Sequence, residues 1–380
     1  KSPTLIGTST WKAIAAGYNH SLGIRGDNKL FAWGNNSYGQ LGTGDTDEYI
    51  SPTGIGSCTW KIIAAGRSHS LGIRADDKLY AWGLNGGGQL GDGTTIDRTS
   101  PTSIGSCTWK AIAGGEYHSL GIRGDDRLLA WGDNYYGQLG DGTCTMRKSP
   151  TLIGTSTWKA IAAGYYHSLG IRGDDKLYAW GRNDAGQLGD GTATDRNVPT
   201  AIGSCTWKAI AAGYYHSMGI RGDGRLLAWG GNGWGQLGDG TTTQRTNPTL
   251  IGSCTWKSIS ADVAHSIGIR TDDRVLAWGY NYYGQLGDGT NTTRYNPTIP
   301  HGPETAAHDN SAIGLHTAIL YGEYMYHCSG PDILVRNTTD YETSKYLRLS
   351  GSTGPYSVVR SWNTLFVAAR GSAHLFSVDI

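Results

Sequence analysis

The sequence predicts an all-β protein, a β-propeller built from 49-residue, four-stranded blades. Three observations carry that expectation. First, Trp11, Trp60, Trp109, Trp158, Trp207 and Trp256 stand 49 residues apart without a break. A second series, Trp33, Trp82, Trp131, Trp180, Trp229 and Trp278, keeps the same period. Periods of this size mark stacked or radially repeated units. Second, the apolar segments inside each unit are five to seven residues long, the length of strands rather than helices. Third, Gly makes up 59 of 380 residues, and Trp (14) and Tyr (22) far outnumber Phe (3) and Met (3). A helical bundle is Leu-, Ala- and Glu-rich instead.

Each unit reads in the same order. WKAIAAG is the first strand, HSLGIR the second and KLYAWG the third. The GDDK and GDGT tracts are Gly/Asp turns. A shorter segment such as PTLIG opens with Pro, as an edge strand allows, and is read as the fourth strand. The GSCTW segment after it is read as the link to the next blade. In the second strand Leu22 and Ile24 share one face, and Ser21 and Gly23 the other. Strands that are apolar or small on both faces belong to sheets packed on both sides, which is the position of a propeller blade.

The repeated text AAGxxHSLGI…GDxKLxAWGxNxxGQLGDG resembles the regulator of chromosome condensation repeat family. It covers about 300 of the 380 residues. The resemblance implies a seven-bladed propeller, whereas six copies are visible between residues 11 and 300. The seventh blade is expected from the chain ends: residues 2–7 (SPTLIG) form a lone fourth strand, and 301–330 read as a degenerate unit. Pairing of the N-terminal strand with these late strands closes the ring and removes its sheet edges. Residues 331–380 are expected to be a β-rich extension, part of a further blade or of a second propeller. The chain opens on Lys1 with no signal-peptide pattern, which is read as a processed product or fragment.

Charge narrows the function classes. Lys and Arg (32) nearly cancel Asp and Glu (31), leaving no basic surplus for a phosphate backbone, so no nucleic-acid partner is expected. No apolar run approaches the ~18–20 residues of a membrane span, so no membrane insertion is expected either. The repeated His20, His69, His118, His167, His216 and His265 come from different blades. Their sheets pack ~10 Å apart, too far for one metal ion, and each His is expected to bond to backbone. The Asp pairs, such as Asp76-Asp77 and Asp125-Asp126, read as turns. Asp of GDGT is placed to pair with a later Arg (Arg98, Arg147, Arg196, Arg245, Arg294) as scaffold. Cys58, Cys107, Cys205 and Cys254 are repeat-equivalent and beyond disulfide reach, and are read as small buried residues. No cofactor, metal or catalytic site is expected, and the protein is read as a non-enzyme.

Differences among the copies point to the binding surface. Variation concentrates in the pair before each His and in the residues after AWG. In an up-and-down blade those two loops share one end of the ring, while the GDDK turn and the link occupy the constant end. The varied positions hold 12 of the 22 Tyr. The expected partner-binding face is Tyr18, Tyr38, Arg67, Tyr117, Tyr135, Tyr136, Tyr165, Tyr166, Arg182, Tyr214, Tyr215, Trp234, Tyr280, Tyr282 and Tyr283. Rigid amphipathic rings with small polar neighbours are the vocabulary of a protein-recognition surface. A protein partner is therefore expected, with self-association as a spacer or filament subunit the alternative. Guanine-nucleotide exchange, which the family resemblance also implies, is a further alternative. The low charge and the Gly, Thr, Ser and Asn content resemble prokaryotic secreted or surface proteins. An extracellular or cell-surface location is expected, with the cytoplasm as the alternative.

Overall fold

The computed structural model describes residues 9–299 and, beyond them, six strands between Leu320 and Ala369. The described residues contain no helix. Blade 1 shows the plan. β1 (Trp11–Ala16), β2 (His20–Arg25), β3 (Lys29–Gly34) and the first part of β4 (Tyr49–Ala65) pair antiparallel in sequence order. Ala15 faces Leu22, Leu22 faces Ala32, and Ala32 faces Thr53.

β4 then changes blade. From Trp60 it pairs with β5 (His69–Arg74), setting Ala64 against Leu71. One 17-residue strand is thus the outermost of blade 1 and the innermost of blade 2. The same element recurs at Arg98–Gly114, Arg147–Ala163, Arg196–Ala212 and Arg245–Ala261. The GSCTW link to the next blade is therefore itself strand. The chain bends at Gly56, whose φ of 59° is left-handed, yet Thr59 still faces Lys29 and Trp60 N–H donates to the Asn28 carbonyl at 2.8 Å. Blade 6 ends with Arg294–Thr298 on Val275–Gly279.

The core lies between blades. Leu22, Ile24, Leu30 and Ala32 of blade 1 pack on Trp60 and Trp82 of blade 2, and the pattern repeats around the array. The two Trp of each blade meet edge to face, 5.6 Å apart at 63° for Trp60 and Trp82. At the last blade the pattern stops. Ile267, Ile269, Val275, Ala277 and Leu286 form a buried cluster with no Trp pair of a further blade among the described residues. At the other end Trp33 is half-buried, whereas Trp82, Trp131, Trp180, Trp229 and Trp278 are fully enclosed.

Residues 1–8, with the expected N-terminal strand, lie outside the described residues, as do 300–319. Further on, Leu320–Tyr321, Tyr324–Ser329, Asp332–Asn337 and Ser344–Arg348 make a four-stranded antiparallel sheet. Ser329 faces Asp332 in its central hairpin, across the 330/331 boundary drawn from sequence. Tyr356–Ser361 and Thr364–Ala369 form a separate pair. Cys58, Cys107, Cys144 and Cys205 are exposed free thiols, which corrects the expectation of burial at the repeated position. That position faces outward on the link between blades.

Candidate functional site

The strand order gathers the two varied loops at one end. The loop between a blade's first and second strands is innermost, and its first varied residue recurs every 49 positions as Tyr18, Arg67, Glu116, Tyr165, Tyr214 and Val263. Each of these side chains meets its counterpart in the next blade through most of the series. The Arg67 guanidinium lies over the Tyr18 ring, 5.1 Å from its centroid, and pairs on its other side with Glu116. Tyr165 stacks on Tyr214 with centroids 3.5 Å apart at 25°. Backbone bonds join the same row: Tyr18 N–H donates to the Arg67 carbonyl at 3.0 Å and Arg67 N–H to the Gly115 carbonyl at 3.2 Å.

A second row lies outside the first. Tyr117 stacks on Tyr166 at 6.4 Å, Tyr166 meets Tyr136 at 5.0 Å, and Tyr136 meets Tyr135 at 4.9 Å. Arg182 sits between the Tyr136 and Tyr215 rings, 5.1 and 4.9 Å from their centroids, and is held by Asp184 at 2.6 Å. Trp234, Tyr280, Tyr282 and Tyr283 form a separate aromatic group. Tyr38 is exposed and makes no ring contact among the described residues. The expected face therefore splits into an inner, mutually packed part and an outer rim. Tyr135 (73% exposed), Tyr282 (65%) and Trp234 (52%) are the outermost rings.

Glu116 and Asp262 are the functional candidates that sequence reasoning missed. Glu116 occupies the same repeat position as Arg67, one blade later, which is the signal that the two would meet. Burial pushes the Glu116 carboxyl above its usual range, opposed by the Arg67 hydrogen bond and then by the Tyr165 and Tyr117 hydroxyls. Burial likewise raises the Tyr165 and Tyr214 hydroxyls, and pushes Tyr166 up to about 12, with the Glu116 charge adding to it. These phenols stay protonated and remain hydrogen-bond donors at neutral pH.

The repeated His is placed differently from expectation. His69 Nε2 lies 2.9 Å from Ser119 Oγ of the next blade, and His118, His167 and His216 make the equivalent contact. Ser119 Oγ in turn donates to the Gln89 carbonyl at 2.8 Å, the acceptor that also takes Trp131 Nε1–H at 2.9 Å. The bond to backbone is thus made by Ser, with His one step behind it. With the Ser proton committed to a carbonyl, His donates and does not act as its base. In the loops after AWG the expected Asp–Arg pairs are present, Asp92 with Arg98 at 2.5 Å and Asp190 with Arg196 at 2.6 Å among them. They fasten scaffold turns.

Six face-packed antiparallel sheets with one diversified end define the chain as a tandem-repeat β-propeller. It belongs to the regulator of chromosome condensation (RCC1) repeat family, whose repeat matches residues 27–73, 76–122, 125–171, 174–220, 223–269 and 272–308. A second description of the same repeat matches residues 11–40, 60–89, 109–138, 158–187, 207–236 and 256–285. Solved structures agree on the fold. Yeast RCC1 (Prp20), solved with Kap60 bound, superposes with a TM-score of 0.68 at 22% identity, over 77% of this chain and 75% of that one. Human WBSCR16 gives 0.70 at 21% identity, over 78% and 83%. Prp20p from Saccharomyces cerevisiae, reported with its binding to Gsp1p and histones, gives 0.69 at 21%, over 97% and 82%. No curated protein matched by sequence.

Proposed function

We propose that this chain is a non-enzymatic binding module that recognises a protein through the aromatic end of its propeller. The observation that carries this reading is the outer rim: Tyr135, Trp234, Tyr282 and Tyr283 stand exposed on loops whose own backbone is locked by hydrogen bonds. Tyr136 N–H, for instance, donates to Gln138 Oε1 at 2.9 Å. Large rings on a preorganised frame lose little entropy on binding. The yeast relatives supply an analogy, since RCC1 was solved with Kap60 and Prp20p was studied with Gsp1p and histones. The near-zero net charge gives no support to a chromatin-docking exchange factor. The exposed thiols favour a reducing compartment over the extracellular one suggested by composition.

The ring is proposed to close as seven blades. Support comes from the four-stranded sheet at Leu320–Arg348, whose Leu320–Tyr321 strand runs beside Trp11–Ala16. A seventh blade there would supply the neighbour that the blade 6 cluster lacks.

The test is affinity capture with the wild-type chain beside a variant carrying Tyr135→Ser, Trp234→Ser, Tyr282→Ser and Tyr283→Ser. These rings are exposed, so the variant is expected to keep its melting temperature. A control carries Lys61→Ala, Lys110→Ala and Lys159→Ala on the constant end. The expected result is a partner retained by wild type and control and lost by the rim variant. Equal capture by all three, or capture only of further copies of the same chain, overturns the reading.

A further inference from the structure

The mouth of the central channel, on the aromatic end, holds a cavity of about 280 Å³. Ligand sites start near ~300 Å³, so this space suits one side chain rather than a cofactor. Arg67, Glu116, Tyr165, Tyr214 and Asp262 give its wall its chemistry. Arg67 and Glu116 neutralise each other. Asp262 does not fit that pairing.

Asp262 occupies the repeat position held by Gly17, Gly66, Gly115, Gly164 and Gly213 in the other blades. Those glycines are sterically required. A Cβ on Gly66 would stand 2.1 Å from Cε1 of its own blade's His69 and 2.5 Å from the Gly115 carbonyl oxygen, and one on Gly115 2.3 Å from His118 Cε1 and 2.8 Å from the Gly164 carbonyl oxygen. Asp262 is the last position of this series among the described residues. Among the described residues its carboxylate makes no ion pair, and its Oδ2, screened from solvent, accepts no hydrogen bond. A desolvated acceptor left empty is costly, and an incoming N–H, reached by rotation about the Asp262 Cα–Cβ bond, removes that cost.

We propose that the channel mouth is a socket for one cationic side chain, lysine or arginine, of the partner protein. Asp262 supplies the anion, and the stacked Tyr165 and Tyr214 supply aromatic wall against which an ammonium or guanidinium is held. An anionic side chain would face the unpaired charge of Asp262. A neutral one would leave Asp262 unmatched. The proposal rests on the protein-binding reading above and specifies one contact of that partner.

The probes are the capped pentapeptides Gly-Gly-Lys-Gly-Gly, its Arg form and its Gln form, titrated into the full chain. NMR of methyl-labelled Val and Ala reads the result, with Val263 and Ala261 as reporters at the cavity wall. The Lys and Arg peptides are expected to shift these methyls saturably, and the Gln peptide is not. Asp262→Gly, which installs the residue of the other five blades and is therefore compatible with the fold, is expected to weaken the Lys peptide by about tenfold or more. Tyr135→Ser and Trp234→Ser on the rim are expected to leave that affinity unchanged. No saturable shift with Lys, an equal shift with Gln, or no effect of Asp262→Gly overturns the socket. The peptides stand apart from the captured partner, so the socket and the binding-face reading fail separately.

Discussion

Gly23, Gly72, Gly121, Gly170, Gly219 and Gly268 occupy one position in the second strand of the six blades because a tryptophan lies across it. A Cβ on Gly23 would stand 2.5 Å from Trp11 Cζ3, and the other five meet their own Trp in the same way. Glycine there is a packing requirement, since these residues have ordinary strand dihedrals. Gly105 is the opposite case, with nothing within 4 Å of its Cβ site and a φ of 62°. Gly121→Ala is therefore expected to cost about 1–3 kcal/mol or more through overpacking. Gly105→Asn, in a conformation that Asn adopts readily, is expected to cost less than about 1 kcal/mol. Urea denaturation of both variants tests the distinction, and equal losses would refute it. Blade 1 shows the same logic in a polar setting. Thr43, Asp45 and Tyr49 stand where blade 2 has Asp92, Thr94 and Arg98. The carboxylate has moved two residues along, and Tyr49 Oη–H donates to Asp45 Oδ2 at 2.8 Å in place of the arginine. The loop is held by a donor–carboxylate pair in either version, so the residue identities vary while the geometry does not.

At the scale of the element, the seam between blades is fastened by the His–Ser–carbonyl chain, and this makes folding pH-dependent. Burial, with the charge of the neighbouring His adding to it, holds His69, His118, His167 and His216 down at about 3. The unfolded chain titrates these groups near 6.5 and so binds more protons between pH 6.5 and 3. Their contribution is fully present above pH 6.5 and is lost as pH falls toward 3, at about 2 kcal/mol per His by pH 5. Asp92, Asp141, Asp190 and Asp239 act in a lower window. Burial alone would raise them, but bonds from the adjacent Thr and Arg outweigh it and hold them below the usual carboxylate value. Their contribution is lost only below about pH 4. His118→Gln is expected to lower stability at pH 7 and to flatten its dependence between pH 6.5 and 4 by about one proton. Urea midpoints across that range check it, and an unchanged slope would refute the assignment. These elements also show what a single chain reveals. The 49-residue period, the Gly/Asp turns and the two-faced burial of HSLGIR were legible because each is a local pattern. The strand through GSCTW was not, because Gly, Ser and Thr read locally as a turn, while its pairing partner Lys29 lies far from Thr59 in sequence. The His partner was hidden for the same reason, being a serine 50 residues away on another sheet.

At the scale of the whole molecule, the repeat makes positions 49 residues apart into neighbours on adjacent blades. That rule places the aromatic loops at one end; it also implies the contact of Arg67 with Glu116, which the sequence reading did not draw. The Asp262 environment was not legible, because it depends on where the described series of glycines stops. The same stopping point sets the stability of the assembly. Each blade buries its Leu/Ile face under the tryptophans of the next, so an array that ends leaves one apolar face and one Trp face unmatched. Ile267, Ile269 and Val275 are nevertheless almost completely buried in the full chain. Under the seven-bladed closure proposed above, a chain cut after Ile299 should expose that face. The truncated protein is expected to self-associate in a concentration-dependent way and to melt at a lower temperature, with light scattering behind size exclusion reading its mass. Ile267→Lys combined with Val275→Lys in the truncated chain should restore the monomer, since charges on the uncovered face oppose pairing while the other blades keep their cores. In the full chain the same pair should be strongly destabilising, because two ammonium groups would then be buried without partners. A truncated chain that stays monomeric and melts like the full one would show that the blade 6 face is complete in itself, and closure by the later strands would fall.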